Sequence, residues 1–361
     1  MKKLKAGIIG ATGMVGQRFS LLLAEHPWFE VSVLAASPRS AGKNYGEVMK
    51  DRWMMKEPIP EKIKNMTILD ASDVKAVADR VDFVFSAVDM KKEEIAALEE
   101  AYAKAECPVV SNNSAHRYTP DVPMLIPEIN HEHTEIINLQ RKRLGTKRGF
   151  IAAKSNCTIQ SYVPALSPLL KYGLRDILVC TYQAISGAGK TFETWPEIVD
   201  NIIPFVGAGE EEKAETEPLK IWGKIENSVI INASDINITS HCSRVPVADG
   251  HMAAVFMRFD GNKKPAKESI ISDWNSFRSV PQELKLPSAP LQPLKYFEEE
   301  NFPQTRLHRE RENGMGFSLG RLRTDNQYDY KFIGLSHNTL RGAAGGAVLV
   351  AELLKAKGYL D

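Results

Sequence analysis

A cysteine in the stretch "KSNCT", Cys157, is the first residue of this chain whose type and setting invite chemistry. A free thiol has a pKa of about 8.5, so only a few per cent is thiolate at neutral pH. A working cysteine therefore needs a base or a positive neighbour. Of the eight histidines in the chain, His251 is the most suggestive. It follows the turn-like "RVPVADG", which begins with Arg244, and it opens the apolar run "MAAVFMRF". By residue type alone, a histidine at a strand entrance is more often structural than catalytic. Cys107 and Cys180 lie in apolar, strand-like stretches and read as core, and Cys242 has no assigned role. His241 and His337 read as packing or hydrogen-bonding residues.

A second stretch with chemical content is "GATGMVG", which places Gly10, Gly13 and Gly16 between an apolar strand and a helical pattern. Gly10 permits a tight turn, Gly13 lets backbone amides approach a pyrophosphate, and Gly16 lets the helix pack close to the sheet. This is a variant of the dinucleotide fingerprint. A site preferring NAD usually carries Asp or Glu at the end of the next strand, to bind the ribose 2′-hydroxyl. Here that place reads "ASPRSAGK", with Ser37, Arg39, Ser40 and Lys43 and no carboxylate. Hydroxyls and a guanidinium suit a 2′-phosphate, so NADP is favoured, although Arg39 also reads as an ordinary surface-loop arginine. Two decoys fail. "GAGKT" lacks the upstream glycine of a P-loop, Ala184 standing there, and "HEHTE" has Glu135 where a zinc-protease helix needs its second histidine. Neither an ATPase nor a metalloprotease is supported, and no metal is expected.

The elements that must position these residues follow from hydrophobic pattern. Ala6 to Ile9, "FEVSVLAAS", "VDFVFSAV" and "CPVVSNN" read as strands, and "DASDVKAVADR" and "AALEEAYAKAE" as helices between them. Such alternation implies a doubly wound parallel α/β sheet with helices on both faces. Beyond Asp176 the β-branched runs "ILVCTYQAIS", "SVIINASDINITSHCSRVPV" and "MAAVFMRF" suggest a mixed, largely antiparallel sheet in an α+β unit. The chain closes with the small-residue helix "GAAGGAVLVAELLKAKGYL". The acidic "GEEEKAETE" and basic "QRKRLGTKR" runs read as solvated faces. At 361 residues, two domains are expected. A net charge of +1 argues against nucleic acid, and no apolar stretch reaches the roughly 20 residues of a membrane span. The opening "MKKLKAGIIGATGMVG" has too many glycines for a secretory signal. Four cysteines without CxxC spacing point to reduced thiols and a cytoplasmic protein.

Taken together and in order, "GATGMVGQ", "SNNSAHR", "LIPEIN", "SNCT", "QAISGAG", "RVPVADGH" and "NTLRGAAGGA" resemble the aspartate-semialdehyde dehydrogenases, the archaeal and fungal branch more than the common bacterial one. The motifs span nearly the whole chain. The resemblance implies a Rossmann-type NADP domain, residues 1–155 with a returning helix at 338–361, and a catalytic and dimerisation domain at 156–337. It implies NADPH-dependent reductive dephosphorylation of 4-phospho-L-aspartate to L-aspartate 4-semialdehyde, on the route to lysine, threonine, methionine and isoleucine. Cys157 would form a thioester and His251 would act as general acid/base, first withdrawing the thiol proton. Asn156 and the backbone N–H of Cys157 would stabilise the oxyanion, and Gln183 would orient the nucleophile and acyl group. Arg244 would clamp the α-carboxylate and Glu210, or Glu211 one residue on, the ammonium. Arg117, Asn112 and Lys213 would surround the phosphate. Cofactor contacts would come from Gly10, Thr12, Gly13, Met14, Val15, Gly16, Ser37, Arg39, Ser40, Ser86, Ser186, Gly187 and Asn338. The family forms homodimers, some of which pair into tetramers, so a homo-oligomer, dimer or tetramer, is expected. The competing reading is a malonyl-CoA reductase of the same branch, whose substrate lacks the amino group; the intact "GEEEK" argues against it. A non-catalytic dinucleotide sensor would show damage at Cys157, Gln183, Arg244 or His251, and none is damaged.

Overall fold

The computed structural model describes residues 2–207 and 209–361, apart from the side chain of Asn262. Its first sheet has seven strands: β1 (Leu4–Ile9), β2 (Phe29–Ala36), β3 (Leu69–Asp70), β4 (Phe83–Ser86), β5 (Val109–Ser111), β6 (Met124–Leu125) and β7 (Ile151–Lys154). The order is β3-β2-β1-β4-β5-β7-β6 and every pairing is parallel, as the alternating pattern requires. Both faces are buried. On one, Ala6, Ile8, Phe83 and Phe85 pack with Phe19 and with Ala347, Val348 and Ala351 of the closing helix Gly345–Ala356. On the other, Ile9, Val84, Val109 and Ile151 meet Tyr102 and Ala103 of helix Lys92–Lys104. Gly10 ends β1 at φ +87°, where a Cβ would lie 2.3 Å from the Ala87 carbonyl oxygen, so only glycine makes this turn.

The second sheet is built from β8 (Leu174–Gln183), β11 (Asn237–Arg244), β12 (His251–Phe259), β13 (Leu294–Phe297), β14 (Phe317–Thr324) and β15 (Tyr330–Ser336). A separate hairpin, β9 (Lys224–Glu226) with β10 (Val229–Ile231), splits what reads in the sequence as one long β-branched run. The sheet order is β11-β8-β12-β15-β14-β13. The β8–β12, β12–β15 and β14–β15 pairs are antiparallel, whereas β8–β11 and β13–β14 are parallel. Parallel neighbours need a long crossover, and helix Glu210–Ile221 lies on the one between β8 and β11. Val179, Val255, Met257, Phe332 and Leu319 pack inward on Tyr162, Ile270 and Trp274.

Three of the sequence motifs meet in one buried ion pair that joins the two halves. Arg341 of "NTLRGAAGGA" donates to Glu128 of "LIPEIN" at 2.8 Å and to Gln160, just past "SNCT", at 3.2 Å. Its guanidinium lies over the Phe317 ring of the second sheet at 4.8 Å. Arg341 and Glu128 side chains are 1% and 0% exposed. Replacing Arg341 with Met strands the Glu128 carboxylate, and urea unfolding should register a loss of about 3–5 kcal/mol.

Candidate active site

Strand β7 delivers the loop that carries Cys157 to the seam between the sheets. Lys154 ends the strand, and a turn carries Ser155, Asn156 and Cys157 into the short helix Thr158–Ser161. His251 is the first residue of β12 in the other sheet. The Cys157 sulfur lies 3.5 Å from its Nε2. The other ring nitrogen, Nδ1, accepts the backbone N–H of Ala184 at 3.0 Å. The imidazole is fully buried. Burial, and after it the charges of Arg244, His337 and Lys154, hold it well below the usual histidine range, so the ring is neutral. Burial also raises the Cys157 thiol, as does Glu210, while Lys154, Arg117 and Arg244 oppose the rise.

One face of helix Glu210–Ile221 supports this loop with charge. Glu210 accepts from Thr158 Oγ1 at 2.7 Å, from Asn156 Nδ2 at 3.2 Å and from Gln183 Nε2 at 3.3 Å, with Lys213 Nζ at 3.5 Å. Burial pushes its carboxyl upward, but the Thr158 bond, the Lys213 charge and the two amides outweigh it and keep the group ionised. Two turns further on, Glu217 accepts the Asn156 backbone N–H at 2.6 Å and pairs with Arg117 at 2.9 Å. Lys220 then holds the carbonyls of Arg117 and Thr119 at 2.7 and 2.8 Å. The acidic run is therefore solvated on one side only: Glu211 and Glu212 are exposed, while Glu217 is fully buried. Glu211 binds the Cys242 N–H and pairs with His241, away from the sulfur, so Glu210 is the carboxylate that faces the site.

Two cavities flank the start of helix Met14–Leu23. The first, of about 580 Å³, is lined by Thr12, Ser37, Arg39, Ser40, Lys43 and Arg52, with Glu47 as its carboxylate. Three cations and two serines fit a 2′-phosphate, and the glycine turn supplies the cradle for a pyrophosphate. The second, of about 320 Å³, contains Cys157 together with Met14, Val15, Asn112, Arg117, Asn156, Ser186, Gly187, Lys213 and Asn338. The residues present thus fit a dinucleotide reaching from the β2 loop to the sulfur. Gly187 abuts both the Arg244 guanidinium and the His251 ring.

Several expected residues hold other partners here. Arg117 spends three N–H groups on the Lys154 carbonyl, Glu217 and the Asn112 carbonyl, so its charge is already matched. The Asn156 amide is committed to Glu210, and its oxygen caps the Thr158 N–H at 2.7 Å. Arg244 donates to the Ala184 carbonyl at 2.7 Å. Asn338 bridges the Gly250 N–H and Ser186 Oγ, each at 2.8 Å. Ser86 is buried beneath Asn113, whose amide it accepts at 3.0 Å, and lines neither cavity. Sequence reasoning missed Arg18, which lies one helical turn beyond Met14 on the cavity wall with its Nε buried and unpartnered. Of the cavity-lining cations Arg18, Arg117 and Lys213, it is the one without an ion pair among the described residues. The i, i+4 spacing from Met14 was the available signal. Glu217 and Thr158 were also missed, since nothing in an acidic run or a lone threonine announces its partner.

A half-buried thiol against a buried, neutral imidazole, beside a dinucleotide cradle and a carboxylate-and-arginine pair, defines a thiol-dependent nicotinamide-nucleotide dehydrogenase. The family profiles "Semialdehyde dehydrogenase, NAD binding domain" and "Semialdehyde dehydrogenase, dimerisation domain" match residues 5–137 and 166–341. The chain is 43% identical to the aspartate-semialdehyde dehydrogenase of Archaeoglobus fulgidus, over 98% of each chain. It is 38% identical to that of Aspergillus fumigatus, over 99% of each. Its fold is similar to the crystal structure of the Candida albicans enzyme with NADP, at TM-score 0.89 and 36% identity, covering 99% of this chain and 100% of that one. The chain belongs to the aspartate-semialdehyde dehydrogenase family.

The sulfur is also wedged from behind. A Cβ at Gly342 would sit 2.7 Å from the Cys157 Cβ. Gly342→Ala should displace the nucleophile and lower kcat by about tenfold or more, with NADP affinity preserved, as steady-state kinetics and a binding titration would reveal.

Proposed function

We propose that this chain converts 4-phospho-L-aspartate to L-aspartate 4-semialdehyde and inorganic phosphate, with NADPH as reductant and a thioester on Cys157. The observation that carries the reading is the 3.5 Å approach of Cys157 to buried His251 within reach of Glu210 and Arg244. The sulfur attacks the acyl carbon, a C–S bond forms, and the bond to the phosphate oxygen breaks. Bound NADPH, held by Thr12, Ser37, Arg39 and Ser40 at one end and Met14, Val15, Ser186 and Asn338 at the other, supplies hydride to the acyl carbon. His251 Nε2 is placed to protonate the oxygen that develops there and to take that proton back as the C–S bond breaks, which releases the aldehyde and restores the Cys157 sulfur. The Cys157 backbone N–H, and Asn156 once it releases Glu210, share that charge. Gln183, bonded to Glu210, keeps the acyl group and sulfur in register. Arg244, which has no carboxylate partner among the described residues, takes the α-carboxylate, and ionised Glu210 takes the ammonium. Arg18, without an ion pair among the described residues, lines the cavity that receives phosphate, with Lys213, Asn112 and Arg117 around it.

An acyl-CoA substrate without an amino group would leave Glu210 facing an apolar neighbour in a buried site, so the malonyl-CoA reductase reading is not favoured. The sheet-by-sheet division supports domains at 1–155 plus 338–361 and at 156–337. A homodimer, or a homotetramer built from it, fits the outer face of the second sheet, where Tyr182 is 41% exposed and Met252, Ala254 and Phe256 are half-buried. No helix among the described residues is long and apolar enough to cross a membrane, and the reaction is a cytoplasmic one in amino-acid biosynthesis.

The deciding assay follows NADP reduction with L-aspartate 4-semialdehyde. Turnover should require phosphate, should be absent with malonate semialdehyde plus coenzyme A, and should vanish in Cys157→Ala while NADP still binds. Phosphate-independent or coenzyme-A-dependent reduction rejects the reading. Cofactor choice is a separate expectation: NADH should serve at least tenfold less efficiently than NADPH, and Arg39→Ala should narrow that gap by raising KM for NADPH alone.

A further inference from the structure

We propose that Glu99 fixes the side-chain amide of Asn113 so that its carbonyl oxygen serves the Cys157 cavity as an acceptor for the nicotinamide half of the dinucleotide. Glu99 is then a positioning residue and Asn113 the contact. The proposal rests on the reading of this cavity as the hydride-transfer end of an NADP site.

The first observation is a carboxyl group where an apolar side chain is expected. Ile95, Glu99, Tyr102 and Ala103 form the buried face of helix Lys92–Lys104, and Glu99 is fully buried among them. Its partners among the described residues are Ser111 Oγ at 2.7 Å and Asn113 Nδ2 at 3.1 Å, both on Oε1. The other oxygen, Oε2, is buried with no partner. A carboxyl group without a cation is costly to bury, so its presence is explained by the two groups it holds.

The second observation is the orientation this gives the amide. Asn113 Nδ2 also donates to Ser86 Oγ at 3.0 Å, so both amide hydrogens are used. The reversed amide would set oxygen against Glu99 Oε1, acceptor on acceptor, so Glu99 decides which end faces it. The Ser111 hydroxyl completes the arrangement, accepting the Asn113 backbone N–H at 3.1 Å and donating to Glu99. Asn113 lines the cavity with Cys157, Met14 and Val15, and the group it has left is Oδ1, which meets no donor among the described residues. The neighbouring amides differ. The Asn156 and Asn338 oxygens accept the N–H groups of Thr158 and Gly250, and the Asn112 oxygen is buried.

The third observation is the place. Ser86 ends β4 opposite Ile9, the last residue of β1, and the strand order reverses between these two strands. A dinucleotide crosses an open parallel sheet at this crevice. A carbonyl oxygen repels phosphate and carboxylate, and Glu210 serves the substrate ammonium. The remaining donors beside the sulfur are the ribose hydroxyls and the carboxamide N–H of the nicotinamide half.

The experiment is calorimetric titration of the full chain with NADP and with its acetylpyridine analogue, which lacks the carboxamide N–H. Asn113→Ala should weaken NADP binding about five- to tenfold, and Glu99→Leu by a similar factor. Glu99→Gln, which keeps the Oε1 acceptor, should bind as the wild type does. Adding Glu99→Leu to Asn113→Ala should weaken binding no further, a coupling that a merely structural role would not produce. If the wild type binds the analogue as weakly as Asn113→Ala binds NADP, the donor is the carboxamide. If Asn113→Ala weakens both cofactors by one factor, the donor is a ribose hydroxyl; either result supports the proposal. Unchanged NADP affinity in Asn113→Ala, or a raised KM for aspartate semialdehyde alone, overturns it. So does a Glu99→Leu effect that persists in full without Asn113, or equal weakening by Glu99→Gln and Glu99→Leu. Should Glu99→Leu not fold, Ser86→Ala, which removes the other acceptor of the same amide, is judged by the same coupling. Failure of the underlying reading would look different: the wild-type chain itself would not bind NADP.

Discussion

A sulfur carried by one sheet must come within 3.5 Å of an imidazole that begins a strand in another, and several buried polar contacts between the two halves support that approach. Cys157 and His251 are 94 residues apart in the chain, so local structure cannot hold them together. The seam is fixed instead by long-range pairs. Arg341 binds Glu128 and Gln160, and Arg117 binds Glu217, which also grips the Asn156 N–H next to the sulfur. Each is a buried charge whose partner comes from a distant segment, so the cost of breaking one is a stranded charge and not merely a lost contact. That is a strong way to specify one relative placement of two independently cored sheets.

Helix Glu210–Ile221 shows how the same device sets reactivity. Glu210, Lys213, Glu217 and Lys220 recur at helical spacing and turn one face of an otherwise solvated helix into an alternating column of charge. After burial, Glu210 is the influence that raises the Cys157 thiol. The carboxylate is itself held by Thr158, Asn156 and Gln183, so the helix fixes the loop that carries Cys157 through the same charge.

Much of the arrangement was legible in the residues. The strand–turn–helix at Gly10, the parallel first sheet and the cations after β2 follow from periodicity and side-chain chemistry, and the resemblance located Cys157 and His251. The second sheet was harder, because β-branched runs record that a strand forms but not the direction of its neighbour; two of its pairs proved parallel. The acidic run was misread as a whole because solvation differs between faces of a helix, and Glu217 gives no local sign that Arg117 and Asn156 converge on it. Lys154 escaped for the same reason. A lysine after three apolar residues looks like a strand end reaching solvent, and only the return of the chain at Gly342 encloses it.

That return also explains why the closing helix belongs to the first sheet while its leading turn belongs to the active site. Ala347, Val348 and Ala351 are core partners of Phe83 and Phe85, so the helix axis is fixed by packing. The turn Leu340–Ala344 ahead of it breaks regular geometry at Ala343 (φ −142°, ψ −109°), which frees the Gly342 carbonyl from the helical pattern for Lys154. Asn338, two residues before the same turn, reaches Gly250, next to His251, and Ser186. One short segment therefore meets Lys154 from the first sheet and Gly250, next to His251, from the second, while Gly342 leaves no room for a side chain beside Cys157, so its placement is fixed from both sheets at once.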